Sequence, residues 1–159
     1  MHAVAQAWDA GKLFHIDLND QAFGRYDQDL RFGSHSVKSC FFLVKFLEDV
    51  KYPGMRHFDS HAYRTEDLDG VKDFARGSML SYLIYKEKAR RWNEDKEIQA
   101  LVREISNVPT EGMPTVGAYS KATADALKGH TFDRKALGAR GLGYEKLDQL
   151  TLEVLLGVR

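Results

Sequence analysis

Residues 13–18, Leu13-Phe14-His15-Ile16-Asp17-Leu18, form a short apolar run of strand length. A helical stretch precedes the run over residues 2–10, and Gly11 closes it, because glycine favours the position just past a helix end. A nearly continuous apolar strand is typical of a parallel sheet that is buried on both faces. The run therefore predicts an α/β fold, in which His15 is a satisfied core histidine rather than a ligand.

The segments that follow alternate between helix and strand. Apolar residues recur at helical spacing from Val37 to Leu47, behind the possible N-caps Ser34 and Ser36. Arg56-His57-Phe58-Asp59 is long enough for a second short strand, and a long helical pattern ends at Trp92. The order helix, strand, helix, strand, helix is the pattern of parallel βα units.

No further strand is predicted after residue 92. A helical pattern continues to Ile105, Asn107-Val108-Pro109 stops it, and Thr110–Thr115 is predicted to be a loop. The remainder consists of helical pieces that glycines join. We therefore expect a βα segment of a parallel sheet or barrel over residues 1–92 and a C-terminal helical arm over residues 93–159, together one compact unit.

Composition limits the classes of partner. The 159 residues and 43% apolar content suit one ordinary domain, and 23 basic against 23 acidic residues leave no net charge to attract nucleic acid or an anionic membrane. Cys40 is the single cysteine, which excludes an internal disulfide and favours a buried thiol. Without a recognisable signal or membrane-spanning segment, we expect a cytoplasmic protein.

Four aspartates lie at or just beyond the C-terminal ends of the two predicted strands: Asp17, Asp27, Asp29 and Asp59. Parallel strands share one C-terminal edge, so these carboxylates are expected to converge there, and a divalent cation would offset their repulsion. Carboxylate and water ligands suit Mg²⁺ or Mn²⁺. Aspartates in such loops also serve as turn formers and helix caps, and spacing alone does not separate the two interpretations.

Several motifs resemble xylose (glucose) isomerase, in order and at fitting intervals. They are Leu13-Phe14-His15-Ile16-Asp17-Leu18-Asn19, Tyr26-Asp27-Gln28-Asp29-Leu30-Arg31-Phe32-Gly33, Arg56-His57-Phe58-Asp59 and Arg64-Thr65-Glu66-Asp67. The ending, residues 145–150 and 155–159, resembles the C-terminal helices of that family. The resemblance spans nearly the whole chain but only the last two-fifths or so of the family's length.

The resemblance implies a (β/α)8-barrel family with a C-terminal arm, and hence an incomplete TIM barrel here. By motif match, Asp17 and Asp59 would bind the first of two divalent ions (Mg²⁺, Mn²⁺ or Co²⁺), which holds the sugar. Asp27 and Asp29 would bind the second, catalytic ion. The implied reaction converts D-xylose to D-xylulose, and D-glucose to D-fructose more weakly, by a metal-assisted hydride shift.

The chain also departs from the family. Two glutamate ligands, the histidine ligand, the ring-opening histidine and the carbonyl-polarising lysine belong to motifs absent from this sequence, and Ser60-His61-Ala62-Tyr63 stands where the family has a lysine and prolines. His61 is either a substitute ligand or base, or a solvent-exposed loop residue. With Asp29 it is our candidate for catalysis.

Three functional hypotheses follow: a small aldose–ketose isomerase, a non-catalytic metal-binding or assembly module, and a metal-assisted hydrolase or lyase acting on carbohydrate. A barrel needs roughly 250 residues, so two strands with amphipathic helices leave strand edges and apolar faces uncovered. We therefore expect a homodimer or homotetramer.

Overall fold

The computed structural model describes residues 1–107 and 117–159. Within these ranges the elements in chain order are α1 His2–Asp9, β1 Ile16–Asp17, α2 Val37–Asp49, β2 Arg56–His57, α3 Leu68–Glu94, α4 Lys96–Ser106, α5 Lys121–Gly129, α6 Arg134–Ala139 and α7 Tyr144–Leu156. The predicted order of helix, strand, helix, strand, helix is confirmed. The predicted loop at Thr110–Thr115 lies outside the described residues.

Strands β1 and β2 pair in parallel, as predicted. Ile16 lies opposite Arg56 and Asp17 lies opposite His57. The backbone N–H of Leu18 donates a hydrogen bond to the carbonyl oxygen of His57 at 2.8 Å, which fixes this register. The described part of the chain is thus a helix-rich α/β structure with two short parallel strands, and the assignment to an incomplete barrel stays a prediction.

Only one face of β1 is buried, so the prediction of a core His15 is wrong. Ile16 and Leu18 are 8% and 1% exposed, whereas His15 and Asp17 are exposed and Phe14 is 81% exposed. Successive strand residues point to opposite faces, and the described residues cover only the face that carries Ile16. His15 and Asp17 therefore share the open face.

Helices α2 and α3 pack together and form most of the core. Cys40, Phe41, Val44 and Leu47 are buried on α2, and the buried residues of α3 are Ser78, Tyr82, Tyr85, Ala89 and Trp92. The predicted burial of Cys40 is confirmed. Each large apolar side chain removed from water in this way stabilises the fold by roughly 1.5–3 kcal/mol.

The start of α2 confirms the prediction only in part. Ser36 is the N-cap residue, but its side chain makes no capping hydrogen bond. The buried carboxylate of Asp20 does so instead, because its Oδ2 accepts from the backbone N–H groups of His35 at 2.7 Å and Ser36 at 2.8 Å. A remote aspartate thus replaces the local serine cap.

The helical pattern after Trp92 is not continuous. Asp95 adopts an extended conformation with ψ 114° and separates α3 from α4. The predicted helical stretch up to Ile105 is confirmed by α4, which ends at Ser106. Contacts group Met1–Asp95 with Thr151–Arg159 in one compact unit and Lys96–Leu150 in a second. The predicted division at residue 92 stays a prediction. Among the described residues, no helix is both long and apolar enough to cross a membrane.

Candidate metal centre

His15, Asp17 and His57 form an exposed cluster whose ligand atoms all lie within 4.8 Å of one another. His15 Nε2 lies 2.8 Å from Asp17 Oδ1 and 3.2 Å from His57 Nδ1. His57 Nδ1 lies 3.8 Å from the same oxygen, Asp17 Oδ1. Two imidazole nitrogens and one carboxylate oxygen are donors that a divalent ion takes in proteins.

The strand geometry explains why these three side chains meet. His15 and Asp17 are two residues apart, so they point to the same face of an extended chain. The parallel register places His57 directly opposite Asp17, and the rings of His15 and His57 pack edge to face with centroids 4.4 Å apart. The cluster is therefore a consequence of strand pairing.

Asp27 and Asp29 lie in the loop between β1 and α2, and both adopt left-handed backbone conformations, with φ of 52° and 49°. Aspartate tolerates this region better than most residues, because its short side chain bonds to nearby groups. The loop is held by glutamine side chains: Gln28 Oε1 accepts from the Ala22 N–H at 2.8 Å, and Gln21 Oε1 accepts from the Asp27 N–H at 3.2 Å.

Hydrogen bonds join this loop to the segment after β2. The backbone N–H of His61 donates to the Asp29 carbonyl oxygen at 3.1 Å. The Asn19 side chain donates to Asp29 Oδ1 at 3.0 Å, which orients that carboxylate. Asp59 lies exposed two residues past the end of β2. The two strand-end loops are thus tied together at Asp29.

His61 lies exposed in the segment after β2, and its Nδ1 lies 3.0 Å from the carbonyl oxygen of Ala62. It lines a cleft of about 320 Å³ together with residues that include Gln28, Arg31 and His35. The side chain is therefore placed at a concave surface close to the Asp29 backbone. Its role as a base or ligand stays a prediction.

Among the described residues, the group of three or more candidate ligands contains Asp17 but not Asp27, Asp29 or Asp59. The roles of all four aspartates as ligands stay predictions. His57 was not proposed from the sequence, and His15 was assigned to the core. The signal was present in the sequence, because residues two apart in a strand share a face and a histidine follows Arg56 in the parallel partner.

Two further buried polar groups have structural explanations. Asp20 Oδ1 also accepts from the Gln21 N–H at 2.9 Å, so this carboxylate serves backbone amides through both oxygens. Burial raises the pKa of the Cys40 thiol to about 12, with the nearby Asp20 charge as a second cause. A thiol with that pKa is not a nucleophile at neutral pH.

The parallel strand pair and its exposed cluster define a helix-rich α/β protein with a candidate metal centre at the strand ends. Comparison with known proteins gives the relatives. The chain is 52% identical over 159 residues to the xylose isomerase of Thermus caldophilus and 54% identical to that of Thermus thermophilus, in each case over all of this chain and 41% of the relative. The xylose isomerase of Streptomyces lividans is 43% identical over 99% of this chain and 40% of its own length.

The resemblance to xylose isomerases is therefore confirmed along the whole chain, and this protein is a relative of those enzymes. It spans about two-fifths of the length of the relatives that it matches, which is consistent with their C-terminal portion. No family model matches the chain.

Proposed function

We propose that this chain acts as a metal-dependent aldose–ketose isomerase that converts D-xylose to D-xylulose, and D-glucose to D-fructose more weakly. The observation that carries the proposal is the parallel register of β1 and β2, which puts Asp17 beside His57. Asp59 follows the end of β2 by two residues. Similarity to xylose isomerases along the full chain supports it. The strand ends of parallel sheets are where such folds bind their substrates.

The donor atoms fit a divalent ion at Asp17. Three ligand atoms lie within 4.8 Å there, and their carboxylate and imidazole chemistry suits Mn²⁺ or Co²⁺, with Mg²⁺ preferring the carboxylates. We propose Asp17 and Asp59 for the first ion, and Asp27 and Asp29 for the second. When bound, such ions supply Lewis-acid polarisation of a carbonyl oxygen.

The chain's own residues would orient the sugar and move protons. Asn19 fixes Asp29 Oδ1, so we propose that Oδ2 of the same carboxylate accepts or returns a hydroxyl proton. His61 lies in the segment whose backbone bonds to Asp29, and a histidine is suited to act as a base near neutral pH. Together they form the proposed proton-transfer pair.

A second copy of the chain is the partner that we propose for its exposed apolar surface. The exposed apolar side chains of α3 include Met79, Leu80, Leu83 and Ile84, each about half exposed, from 48% to 58%. A two-fold axis would bury the same helix face twice. In a homodimer or homotetramer, the strand-end aspartates of one subunit would also come closer to those of another.

The alternative is a non-catalytic metal-binding or assembly module. One observation favours it: the described cluster joins Asp17 with two histidines, while Asp27, Asp29 and Asp59 lie outside it. Catalysis depends on a complete and preorganised set of ligands. A module of this kind would bind a metal ion and associate with other chains without turning over sugar.

An isomerase assay separates the two functions. Purified protein loaded with Mg²⁺, Mn²⁺ or Co²⁺ is given D-xylose, and D-xylulose is measured for the unmodified chain, Asp27→Ala and Asp59→Ala. The isomerase proposal predicts product that falls by about 100-fold or more in both variants. The matched control is Asp73→Ala, an exposed aspartate on α3 that pairs only with a helix neighbour, Arg76, among the ion pairs described for it.

The control variant should keep full activity. Absence of D-xylulose with every metal, or product formation that neither active-site variant lowers, would rule out the isomerase. Metal binding that depends on Asp17 without any product would support the non-catalytic module.

A further inference from the structure

We propose that His15, Asp17 and His57 form a binding site for a first-row transition-metal ion with nitrogen affinity, of the Co²⁺ or Zn²⁺ class. This donor set extends the site proposed above at Asp17, because two of its three donors are imidazole nitrogens rather than carboxylate oxygens. It does not depend on isomerase activity. The two proposals share Asp17, but this one predicts that His15 and His57 bind the ion, whereas the carboxylate proposal predicts that Asp59 does.

The separations of the three donor atoms match the coordination sphere of such an ion. The distances are 2.8, 3.2 and 3.8 Å between His15 Nε2, His57 Nδ1 and Asp17 Oδ1. Three atoms spaced in this way can all lie roughly 2 Å from one central ion, which is the length of Zn–N and Zn–O bonds. The donors therefore need little movement to bind.

The backbone holds the donors in place without a metal. His15 and Asp17 stand on one strand, and the register pairs Asp17 with His57 on the other. The hydrogen bond from the Leu18 N–H to the His57 carbonyl oxygen anchors the strands next to the cluster. Donors on paired strands are positioned better than donors on loops, so the ordering cost of binding is small.

The donor set also selects the kind of ion. Mg²⁺ favours oxygen ligands in octahedral geometry, whereas imidazole suits Zn²⁺, Co²⁺ and their neighbours. All three residues are exposed, so solvent can complete the coordination. Two histidines and one carboxylate with open positions form an arrangement that binds and exchanges ligands, as catalytic rather than closed structural sites do.

Cobalt provides the test, because Co²⁺ with nitrogen ligands in a four-coordinate site absorbs visible light far more strongly than hexahydrated Co²⁺. The full chain is titrated with CoCl₂ and compared with His15→Gln, His57→Gln and Asp59→Asn. We expect an intense visible band that an excess of Mg²⁺ does not displace. Both histidine variants should lose affinity by more than the roughly 10–100-fold that the loss of an outer-shell hydrogen bond costs.

The control is His2→Gln, which removes an exposed histidine at the start of α1 and should leave the titration unchanged. Circular dichroism checks that each variant folds. The histidine site would be overturned if neither His15→Gln nor His57→Gln lowered the affinity for cobalt. It would also be overturned if Asp59→Asn lowered that affinity and the two histidine variants did not. The second result would instead support the carboxylate site.

Discussion

Asp20 Oδ2 accepts a hydrogen bond from the backbone N–H of Ser36 at 2.8 Å, across sixteen positions of sequence. The same oxygen accepts from the His35 N–H, and Asp20 itself is only 4% exposed. The carboxylate therefore satisfies amides that the helix cannot pair and lies at the positive end of its dipole. This contact ties the loop after β1 to the start of α2.

We expect Asp20→Ala to lower the free energy of unfolding by about 2–4 kcal/mol, because it leaves several backbone donors without their acceptor. Asp20→Asn keeps one acceptor oxygen and should cost less. Urea denaturation measures both. Asp69→Ala, at an exposed aspartate near the start of α3, is the control and should change stability by no more than about 0.5 kcal/mol. Equal effects at the two sites would contradict the capping role.

A hydrogen-bond chain joins α2, β2 and α3 at Tyr82. The Tyr82 hydroxyl donates to Glu48 Oε1 at 2.6 Å and accepts from Arg56 Nε at 2.9 Å. We expect Tyr82→Phe to destabilise the protein by about 1–3 kcal/mol, since both partners carry charge. Tyr63→Phe, at a side chain 77% exposed, is the matched control. Thermal unfolding of the two variants measures the difference, and equal melting temperatures would contradict the account.

The same residues predict how stability depends on pH. Burial, followed by the hydrogen bond to Glu48, raises the pKa of Tyr82 from 10.0 to about 12, and burial raises that of Tyr85 to about 12. A group with a raised folded pKa contributes stability that is present below its unfolded pKa and is lost as the pH rises through the folded pKa. We therefore expect the free energy of unfolding to fall between about pH 10 and pH 12.

Glu48 gives the opposite dependence at acid pH. Although burial opposes the shift, hydrogen bonds from Lys86 and Tyr82 hold the pKa of Glu48 below its ordinary 4.5. The stability that ionised Glu48 contributes is fully present above pH 4.5 and is lost as the pH falls through the lowered pKa of the folded protein. Ultraviolet titration of the tyrosines and denaturant unfolding across pH test both statements. Tyrosine ionisation that is complete near pH 10, with unchanged stability, would contradict them.

Gly33 lies so close to the Tyr85 ring that a residue with a side chain would collide with it. Its φ is +77°, and a Cβ at this position would lie 2.6 Å from Tyr85 Cε2. We expect Gly33→Ala to destabilise the protein by about 2–4 kcal/mol, from the left-handed backbone and from the clash together. Gly24→Ala is the matched control, because Gly24 has φ +74° and open space around it; it should cost only about 1 kcal/mol. Chemical denaturation that finds equal losses would contradict the packing argument.

Self-association is tested by the exposed face of α3. We expect sedimentation velocity to find a dimer or tetramer, and we expect Leu80→Lys with Leu83→Lys to shift it towards monomer, because charges would then line the buried interface. Lys substitution at Leu68, an exposed position at the start of the same helix, is the control. A monodisperse monomer of the unmodified chain would refute the proposed partner.

The sequence predicted most of the fold because its signals were local. Apolar periodicity located α2 and α3, and the alternation of helices with strands implied the parallel pair. The predictions from sequence failed where the structure depends on contacts between residues far apart in the chain. Ser34 and Ser36 are of a residue type that caps helices, but the side-chain acceptor at the start of α2 is Asp20 in the preceding loop. No local sequence pattern predicts such a contact.

The candidate site shows the same limit. The apolar run around His15 is equally compatible with a strand covered on one face or on two, and only the second assumption buries the histidine. In the structure the open face brings His15 to Asp17, and the strand register adds His57. Residue type and motif resemblance proposed Asp17 as a ligand, whereas the histidines that lie beside it could be found only from the pairing of the strands.

The most direct test of a metal half-site at the strand ends is a crystal of this protein soaked in Mn²⁺, with anomalous diffraction recorded at the manganese edge. The account predicts an anomalous peak about 2.0–2.4 Å from a carboxylate oxygen of Asp17. A map without a peak at Asp17, in crystals where Mn²⁺ binds elsewhere or not at all, would contradict it.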